Sequence, residues 1–460
     1  MKNLTTGNPT KLMVRFTLPL IVGGLLHQAY QITDAAVVGR MLGPDGLAAV
    51  GSVGALLFLL QGFGWGTTNG LAIPVSKAFG SGDLMETRKR VAAGAYVAVA
   101  ISVLISLVGL VFGRMILGLI AVPDYLIDYS ALYLRILISG SIFTTTFAYL
   151  SAVIRAVGDS KTPVYFGVIS QLLNIGLTIW FVVGLHLGIP GAASSTIIAQ
   201  FLSLSICLFY SSKKLKSIIP NRSEWRAGWG LATHSARTGL PMGLQSCSIA
   251  LGAVVLQAAV NTLGGEAMAA YATAGRIEGI VIAPMHAFSM ATVTFVAQNR
   301  GAKHWLRIRQ TVTKAAGLVG SLAIVLGAVQ FVLAPLLVGI FLHSDAIAPT
   351  QMAVQYVRLT SFAFIILGLK FVIRGAVQGM GNSTIPTVST VLELVVRAAL
   401  AFWLVNQFGL LGIAAAAPLA WLAGMSLNLI TWRKMRQSLL KRHEEELVTA
   451  AKTEEYELQA

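Results

Sequence analysis

Asp34 stands within a largely apolar stretch that is long enough to cross a lipid bilayer. A carboxylate at the centre of a membrane helix costs about 2.5–3.5 kcal/mol on insertion scales, so it is retained where it faces a cavity or a polar partner. Its neighbours at i−3, i−4 and i−7 are Gln31, Tyr30 and His27, which form one polar stripe on an apolar helix. We interpret Asp34 as a functional group and His27, Tyr30 and Gln31 as substrate-contact candidates; the alternative is a carboxylate nearer the headgroups that only hydrogen-bonds a neighbour.

The chemistry open to Asp34 is ion binding. Burial disfavours the charged form of a carboxyl group, so such a group can exchange a proton near neutral pH, whereas additional oxygen ligands would let it hold Na⁺. The fifth and sixth predicted spans offer oxygens at helical spacing, on Gln171, Asn174, Thr178, Ser195, Thr196 and Gln200. Ordinary hydrogen bonding between helices is the other interpretation of each of these side chains.

The composition is that of a polytopic membrane protein. Of the 460 residues, 55% are hydrophobic and 11% are charged, and the mean hydropathy is +0.74. The net charge of +16 lies in short connectors between apolar runs, which excludes nucleic acid as the expected partner and indicates cytoplasmic basic loops. We expect a multi-pass protein of the cytoplasmic membrane with both termini in the cytoplasm.

Charge and Gly/Pro punctuation divide the chain into an all-α arrangement of twelve transmembrane helices. The predicted spans are 14–41, 48–77, 90–120, 128–157, 162–187, 190–212, 230–262, 267–297, 311–342, 350–380, 385–407 and 410–433. The predicted domains are an amino-terminal six-helix lobe (1–212), a cytoplasmic linker (213–229), a carboxy-terminal six-helix lobe (230–436) and a cytoplasmic tail (437–460). Arg155, near the end of the predicted span 128–157, is grouped with Lys161 among the basic residues that concentrate in alternate segments.

Three short motifs recur in the second half, in the same order and at nearly the same offset. LGPDGLAAV (42–50) matches LGGEAMAAY (263–271), SKAFGSG (76–82) matches AQNRGAK (297–303), and VGDSKTP (157–163) matches MGNSTIP (380–386). Since each repeat has an even number of spans, the two lobes are related by a pseudo-two-fold axis along the membrane normal and enclose a central cleft. This arrangement favours a transporter that works by alternating access, and we expect the monomer to function.

The second half carries its own charges inside apolar spans: Glu278, then Lys370 and Arg374 at i, i+4, then Glu393 and Arg397 at i, i+4. Structural pairing within the lobe is one interpretation. Alternatively, Glu278 or Glu393 contacts cationic compounds, or the three basic residues line the cleft for an anionic substrate. An adaptable apolar wall is a further candidate feature, with core or lipid-facing packing as the alternative, and includes Tyr30, Phe63, Trp65, Tyr149, Met285, Phe288 and Met290.

The order of several motifs resembles the multidrug and toxic compound extrusion (MATE) family of cation-coupled efflux transporters. They are the opening GNPTKLMVRFTLPLIVGGLLHQAYQITDAAVVGRMLG, the repeated LG…AAV, IRAVGDSKTP, AQNRGA and VQGMGNSTIP, and the resemblance extends to about Arg436. It implies an antiporter that exports small organic, often cationic, compounds in exchange for H⁺ or Na⁺. It also implies that Asp34, Asn174 and Thr196 match the family's cation site.

One departure from the family bears on the coupling ion. Many members have an aspartate where this chain has Thr178, and the loss of that anionic ligand favours H⁺ over Na⁺. The acidic pair that another branch uses in the carboxy-terminal lobe is replaced by Ile249 and Leu369. The chain therefore resembles the DinF-like branch, which couples through the amino-terminal lobe, and the expected coupling residues are Asp34, Asn174, Thr178 and Thr196.

Other function classes have weaker support in the sequence. An enzyme is not expected, because no metal-spaced histidine cluster and no nucleophile elbow occurs, and neither a cofactor nor a metal site is predicted beyond the coupling ion. A channel is less well matched to two repeats around a cleft. A flippase for a lipid-linked or anionic substrate is the main alternative, and Lys370, Arg374 and Arg397 are its support.

Overall fold

The computed structural model describes residues 3–119, 122–342 and 345–459, and within these residues it is helical and contains no β-strand. The helices are α1 (Pro9–Gly43), α2 (Ala48–Gly80), α3 (Leu84–Leu119), α4 (Asp124–Ser139), α5 (Ser141–Ala156), α6 (Lys161–Gly184), α7 (Gly188–Lys214), α8 (Arg222–Asn261), α9 (Gly265–Gly301), α10 (Trp305–Gly339), α11 (Ile347–Ser361), α12 (Phe364–Gly379), α13 (Thr384–Phe408) and α14 (Leu410–Gln459).

These helices confirm the predicted twelve-span architecture. Ten are long and apolar enough to cross a membrane, and two further spans are bent pairs, α4 with α5 at 47° and α11 with α12 at 50°. The first bend lies at Gly140, where a Cβ atom would stand 2.7 Å from Ile197 of α7. Because the two bent spans are the fourth and the tenth, they hold equivalent places in the two repeats.

The repeated sequence motifs adopt repeated backbone conformations. Gly43, between α1 and α2, has φ 71° and ψ −172°, and Gly264, between α8 and α9, has φ 90° and ψ −179°. Gly158 and Gly381, in the VGDSKTP and MGNSTIP motifs, have φ 85° and 81°. Glycine is favoured at all four places because residues with a Cβ atom rarely adopt positive φ.

The apolar core is divided along the same lines. One cluster draws its buried residues from positions 49–218, and another from positions 256–416. A third joins the start of the chain to the second half, because Leu4, Met13, Phe16 and Leu20 pack with buried residues between positions 281 and 439. Helix α1 therefore begins against the second half of the chain.

The segments outside the predicted lobes are also structured. Within the predicted linker 213–229, a 3₁₀ turn covers Lys216–Ile218 and α8 begins at Arg222, where Glu224 accepts a 2.6 Å hydrogen bond from Arg88 of α3. At the start of the predicted tail, Leu439 is buried in the third apolar cluster. The domain limits 1–212, 213–229, 230–436 and 437–460 remain predictions.

Helices α2 and α9 touch at one end of the bundle. This end, called the basic end below, carries residues 3–8 and the connectors 81–83 and 302–304. Leu4 donates its backbone N–H to the buried side chain of Gln298 at 3.0 Å, and Gln298 donates in turn to the Ala156 carbonyl oxygen at 2.8 Å. The start of the chain, α5 and α9 are thereby tied together.

Candidate functional site

The carboxylate of Asp34 lies in a polar network built by α1, α6 and α7. The Asn174 side-chain amide is oriented so that its nitrogen faces acceptors and its oxygen faces donors. The amide nitrogen of Asn174 then lies 2.8 Å from the Tyr30 hydroxyl oxygen and 3.2 Å from Asp34 Oδ1. Its oxygen accepts hydrogen bonds from Thr196, from the hydroxyl at 2.9 Å and from the backbone N–H at 3.2 Å. The structure thus brings Asp34, Tyr30, Asn174 and Thr196 together.

Burial differs among the members of this network. Asn174 is 3% exposed, whereas Asp34 and Tyr30 are half-buried. The carboxylate is therefore more accessible than the amide to which it is hydrogen-bonded. The helical register explains the contact, because Tyr30 and Asp34 are four residues apart and share one face of α1.

Thr178 belongs to a different contact. Its hydroxyl group is buried and lies 2.7 Å from the hydroxyl of Ser195 on α7. No hydrogen bond between Thr178 and the Asp34 network occurs in the part of the chain that the structure describes. The predicted coupling set is therefore divided, with Thr178 tying α6 to α7 beside the network.

His27 lies about one turn before Tyr30 on α1, Gln31 directly follows Tyr30, and both are exposed. The His27 ring lies between two amides, 3.0 Å from Gln31 and 3.1 Å from Gln171 of α6. It also stacks on Tyr30, with ring centroids 6.1 Å apart. These residues extend the polar face of α1 and α6 from the Asp34 network.

The charges of the second half form a buried ion-pair cluster. Lys370 of α12 binds one carboxylate oxygen of Glu393, and Arg397 binds the other at 2.5 Å. All three side chains are at most 14% exposed. Lys370, Glu393 and Arg397 are thus paired with one another, as one interpretation of the sequence expected.

Arg374 and Glu278 lie outside those ion pairs. The Arg374 guanidinium lies over the Phe371 ring at 4.6 Å, and its Nε atom is buried without a hydrogen-bond partner. Glu278 is half-buried on α9, and its Oε1 atom also accepts no hydrogen bond. Neither residue has an ion-pair partner within 4.0 Å among the described residues.

A central cavity of about 740 Å³, including its mouth, lies between the two halves of the chain. Helices α2, α5, α8, α9 and α12 contribute the lining, which includes Trp65, Asn69, Arg155, Gln245, His286, Met290, Arg374 and Gln378. Of the predicted substrate-contact residues, Arg374 is the member that lines this cavity; His27, Tyr30, Gln31, Glu278, Lys370, Glu393 and Arg397 are not among its described lining residues.

The cavity also gives Arg155 a role that its grouping with the basic residues between spans did not predict. Arg155 lies within α5 and donates a 3.0 Å hydrogen bond to the side chain of Asn69 on α2. His286, Asn69 and Gln378 were missed as well, whereas Trp65 and Met290 belong to the predicted apolar wall. The sequence signal for Arg155 was its position on the helix α5. Ala152 and Arg155 are three residues apart, so they share one helix face, and both line the cavity.

The family comparison follows the same two-fold division. The family model described as MatE matches the chain twice, over residues 19–180 and 241–403. The chain belongs to the MATE family. This confirms the resemblance and makes the protein a multi-pass membrane transporter of the multidrug efflux type.

Individual MATE relatives match nearly the whole chain. The probable multidrug resistance protein YpnP of Bacillus subtilis (strain 168) is 25% identical over 405 residues, with 88% of each chain covered. YoeA of the same organism, also a probable multidrug resistance protein, is 26% identical over 392 residues, covering 83% of this chain and 84% of its own. A solved multidrug resistance MATE transporter in an outward-facing conformation has the same fold, with a TM-score of 0.85 at 20% identity, covering 95% of this chain and 99% of that one.

Proposed function

We propose that this MATE transporter is an antiporter of the cytoplasmic membrane that exports small organic compounds in exchange for H⁺. The supporting observation is the Asp34 network, in which one half-buried carboxylate is hydrogen-bonded to a buried amide shared by three helices. Protonation removes the negative charge of Asp34 and with it the charge-assisted hydrogen bond from Asn174. The proton thereby changes how α1 is held against α6 and α7.

The choice of H⁺ over Na⁺ rests on the ligands available to a metal ion. Asp34 supplies one carboxylate, while the Asn174 oxygen faces Thr196 and Thr178 is hydrogen-bonded to Ser195. A hard cation favours several converging oxygens, and only one anionic oxygen donor is present here. A proton needs a single oxygen, so the network favours H⁺.

The position of the cavity supports alternating access. Its lining reaches Ser76 on α2 and Thr294 on α9, just before the two helices touch at the basic end. With both termini in the cytoplasm, this contact closes the cavity toward the cytoplasm, and its separation would admit substrate. One chain forms both the network and the cavity, so we expect the monomer to be sufficient.

Transport in proteoliposomes tests the proposal. Rhodamine 123, a cationic dye, and fluorescein, an anionic dye, serve as alternative cargoes under separately imposed pH and Na⁺ gradients. We expect a pH gradient to drive at least one dye and a Na⁺ gradient to drive neither. Asp34→Asn should abolish the gradient-driven flux, whereas Asp128→Asn, which alters an exposed carboxylate, should preserve it. Flux driven by Na⁺ alone, or undiminished pH-driven flux in Asp34→Asn, would overturn the proposal.

A flippase for a lipid-linked or anionic substrate is the second candidate. The position of Arg374 in the cavity favours it, while Lys370 and Arg397 are occupied by Glu393. A flippase would move a fluorescent anionic lipid between leaflets and leave both soluble dyes in place. The same proteoliposomes, prepared with a headgroup-labelled lipid and a membrane-impermeant quencher, distinguish the two functions.

A further inference from the structure

The central cavity has an unbalanced charge. Two guanidinium groups line it, Arg155 from α5 and Arg374 from α12, and its described lining residues include no aspartate or glutamate. The two arginines come from opposite halves of the chain. A charged group in the cavity therefore meets positive charge on both sides, which attracts an anion and repels a cation.

Arg374 has no ion-pair partner within 4.0 Å among the described residues. It is 6% exposed, and the nearby carboxylate of Glu393 already binds Lys370 and Arg397. Because arginine stays charged when buried, an unneutralised guanidinium at this depth is unfavourable until a partner arrives. The buried Nε atom is an unused hydrogen-bond donor of a side chain that lines the cavity.

Arg155 is held in place by neutral groups. Its Nη2 atom donates to Asn69 Oδ1 at 3.0 Å, and the Asn69 amide donates to the Trp65 carbonyl oxygen at 2.8 Å. No carboxylate lies within 4.0 Å of Arg155 among the residues that the structure describes. This arrangement fixes the guanidinium group without consuming its charge.

The rest of the wall is suited to a flat apolar body. Trp65 of α2 and His286 of α9 stack with ring centroids 5.5 Å apart and an interplanar angle of 26°. Met242 and Met290 add adaptable apolar surface to the lining. Stacked rings beside unpaired guanidinium groups are a combination that accommodates a planar molecule with one anionic substituent.

We propose that the cavity binds an aromatic organic anion, with its carboxylate, sulfonate or phosphate group between Arg155 and Arg374 and its rings against Trp65 and His286. The proposal rests on the proposed function, because it treats this cavity as the substrate site of the exporter. It reverses the substrate charge expected from the family resemblance. The chemical reason is that a guanidinium group donates two parallel hydrogen bonds to such an anion and none to an organic cation.

Equilibrium binding to the purified protein in uncharged detergent is the test, because it requires no ion gradient. Fluorescein and rhodamine 123 share a xanthene core and differ in charge, so their fluorescence anisotropy compares anion with cation on one scaffold. We expect fluorescein to bind at least about tenfold more tightly than rhodamine 123. Arg155→Gln and Arg374→Gln should each weaken fluorescein binding by about tenfold or more, and neither should weaken rhodamine 123 binding.

Matched variants separate binding from folding. Arg358→Gln changes an exposed arginine of α11 and should leave fluorescein affinity unchanged. Arg374→Lys keeps the charge and should retain more affinity than Arg374→Gln. If Arg374→Gln fails to fold, as judged by gel filtration, Arg155→Gln and Arg374→Lys still decide the outcome.

Arginine-dependent fluorescein binding supports the proposal even when no dye is transported, in which case the proposed export function fails and the anion site stands. Competition by short-chain phosphatidylglycerol would identify a lipid phosphate as an accepted anion, and its absence would indicate soluble anions. Three results would overturn the proposal: absence of fluorescein binding at millimolar concentration, tighter binding of rhodamine 123 than of fluorescein, or a fluorescein affinity in both glutamine variants equal to that of the parent protein.

Discussion

Gly80 of α2 and Gly301 of α9 each pack against the backbone of the other's helix at the basic end. A Cβ atom on Gly80 would overlap the Gln298 carbonyl oxygen, and one on Gly301 would overlap the Lys77 carbonyl oxygen. The two glycines belong to the repeated motifs SKAFGSG and AQNRGAK, so the contact is reciprocal. Since a carbonyl oxygen cannot rotate away as a side chain can, glycine at both places permits this close approach.

Gly80→Ala should open the basic end. Overpacking of a close contact costs about 1–3 kcal/mol, which is enough to shift a two-state equilibrium by about fivefold to 150-fold. Spin labels at the exposed residues Met85 and Leu306, in a background without Cys207 and Cys247, report the distance between the two connectors. We expect the alanine variant to populate longer distances.

The control for this measurement is Gly317→Ala. Gly317 lies in α10, and a Cβ atom there meets no neighbour within 4 Å. Its distance distribution should equal that of the parent protein. A distribution that also stays unchanged in Gly80→Ala would show that the α2–α9 contact is not what holds the basic end closed.

Tyr30→Phe should weaken proton coupling without abolishing it. The phenol oxygen lies 2.8 Å from the Asn174 side chain, and its loss leaves Asn174 with Asp34 and Thr196 as partners. A hydrogen bond of this kind is worth about 0.5–1.5 kcal/mol, which corresponds to a reduction of roughly two- to tenfold in pH-driven transport. Tyr165→Phe, at a 63% exposed tyrosine of α6, should transport as the parent does. If pH-driven transport is equally fast in Tyr30→Phe and Tyr165→Phe, the Tyr30 hydroxyl does not contribute to proton coupling.

Glu393→Gln should destabilise the folded protein strongly. The carboxylate binds Lys370 and Arg397 in a buried position, and its neutralisation leaves two buried cations without a counter-ion. Breaking a buried pair from one side costs about 3–5 kcal/mol. The measurement is thermal unfolding in detergent, where we expect a clearly lower midpoint.

An exposed ion pair provides the comparison for Glu393. Arg114 and Asp128 are 2.6 Å apart with side chains 56% and 72% exposed, so Asp128→Asn should change stability by about 0–1 kcal/mol. A similar small effect in Glu393→Gln would mean that Lys370 and Arg397 are solvated and do not depend on the carboxylate.

Gln298→Ala should release the start of the chain from the bundle. The fully buried Gln298 side chain accepts from the Leu4 backbone N–H and donates to the Ala156 carbonyl oxygen. Its removal leaves the Leu4 N–H without this acceptor, whereas the Ala156 carbonyl oxygen keeps the Ser76 hydroxyl as a donor. Each buried unsatisfied group costs about 1–3 kcal/mol. Faster proteolysis within residues 3–8 is the expected result.

The matched control is Gln257→Ala, at a half-buried glutamine whose side chain donates a solvent-exposed hydrogen bond to Asn261 one turn away. Its cleavage rate should stay at the parent level. If Gln298→Ala is cleaved at that same rate, the segment is held by Leu4 and the Arg307 contacts to its carbonyl oxygens instead.

The sequence by itself determined the spans, the repeats and the position of Asp34 within an apolar span. Hydropathy and glycine position act locally. A run of apolar residues must be helical in a bilayer, and the glycines of the two repeated LG motifs, Gly43 and Gly264, adopt the same positive-φ conformation in each half. The spacing of Tyr30 and Asp34 likewise fixes that they share a face, whatever lies opposite. These features needed no knowledge of which helices touch.

Only the tertiary structure decided what each polar side chain meets. The spacing of Lys370, Arg374, Glu393 and Arg397 allowed every pairing, but the packing of α12 on α13 gives Glu393 to Lys370 and Arg397 and leaves Arg374 in the cavity. Arg155 had the sequence context of a basic connector and is a cavity residue. The physical reason is that helix rotation and crossing depend on contacts between residues far apart in the chain, which periodicity within one helix does not encode.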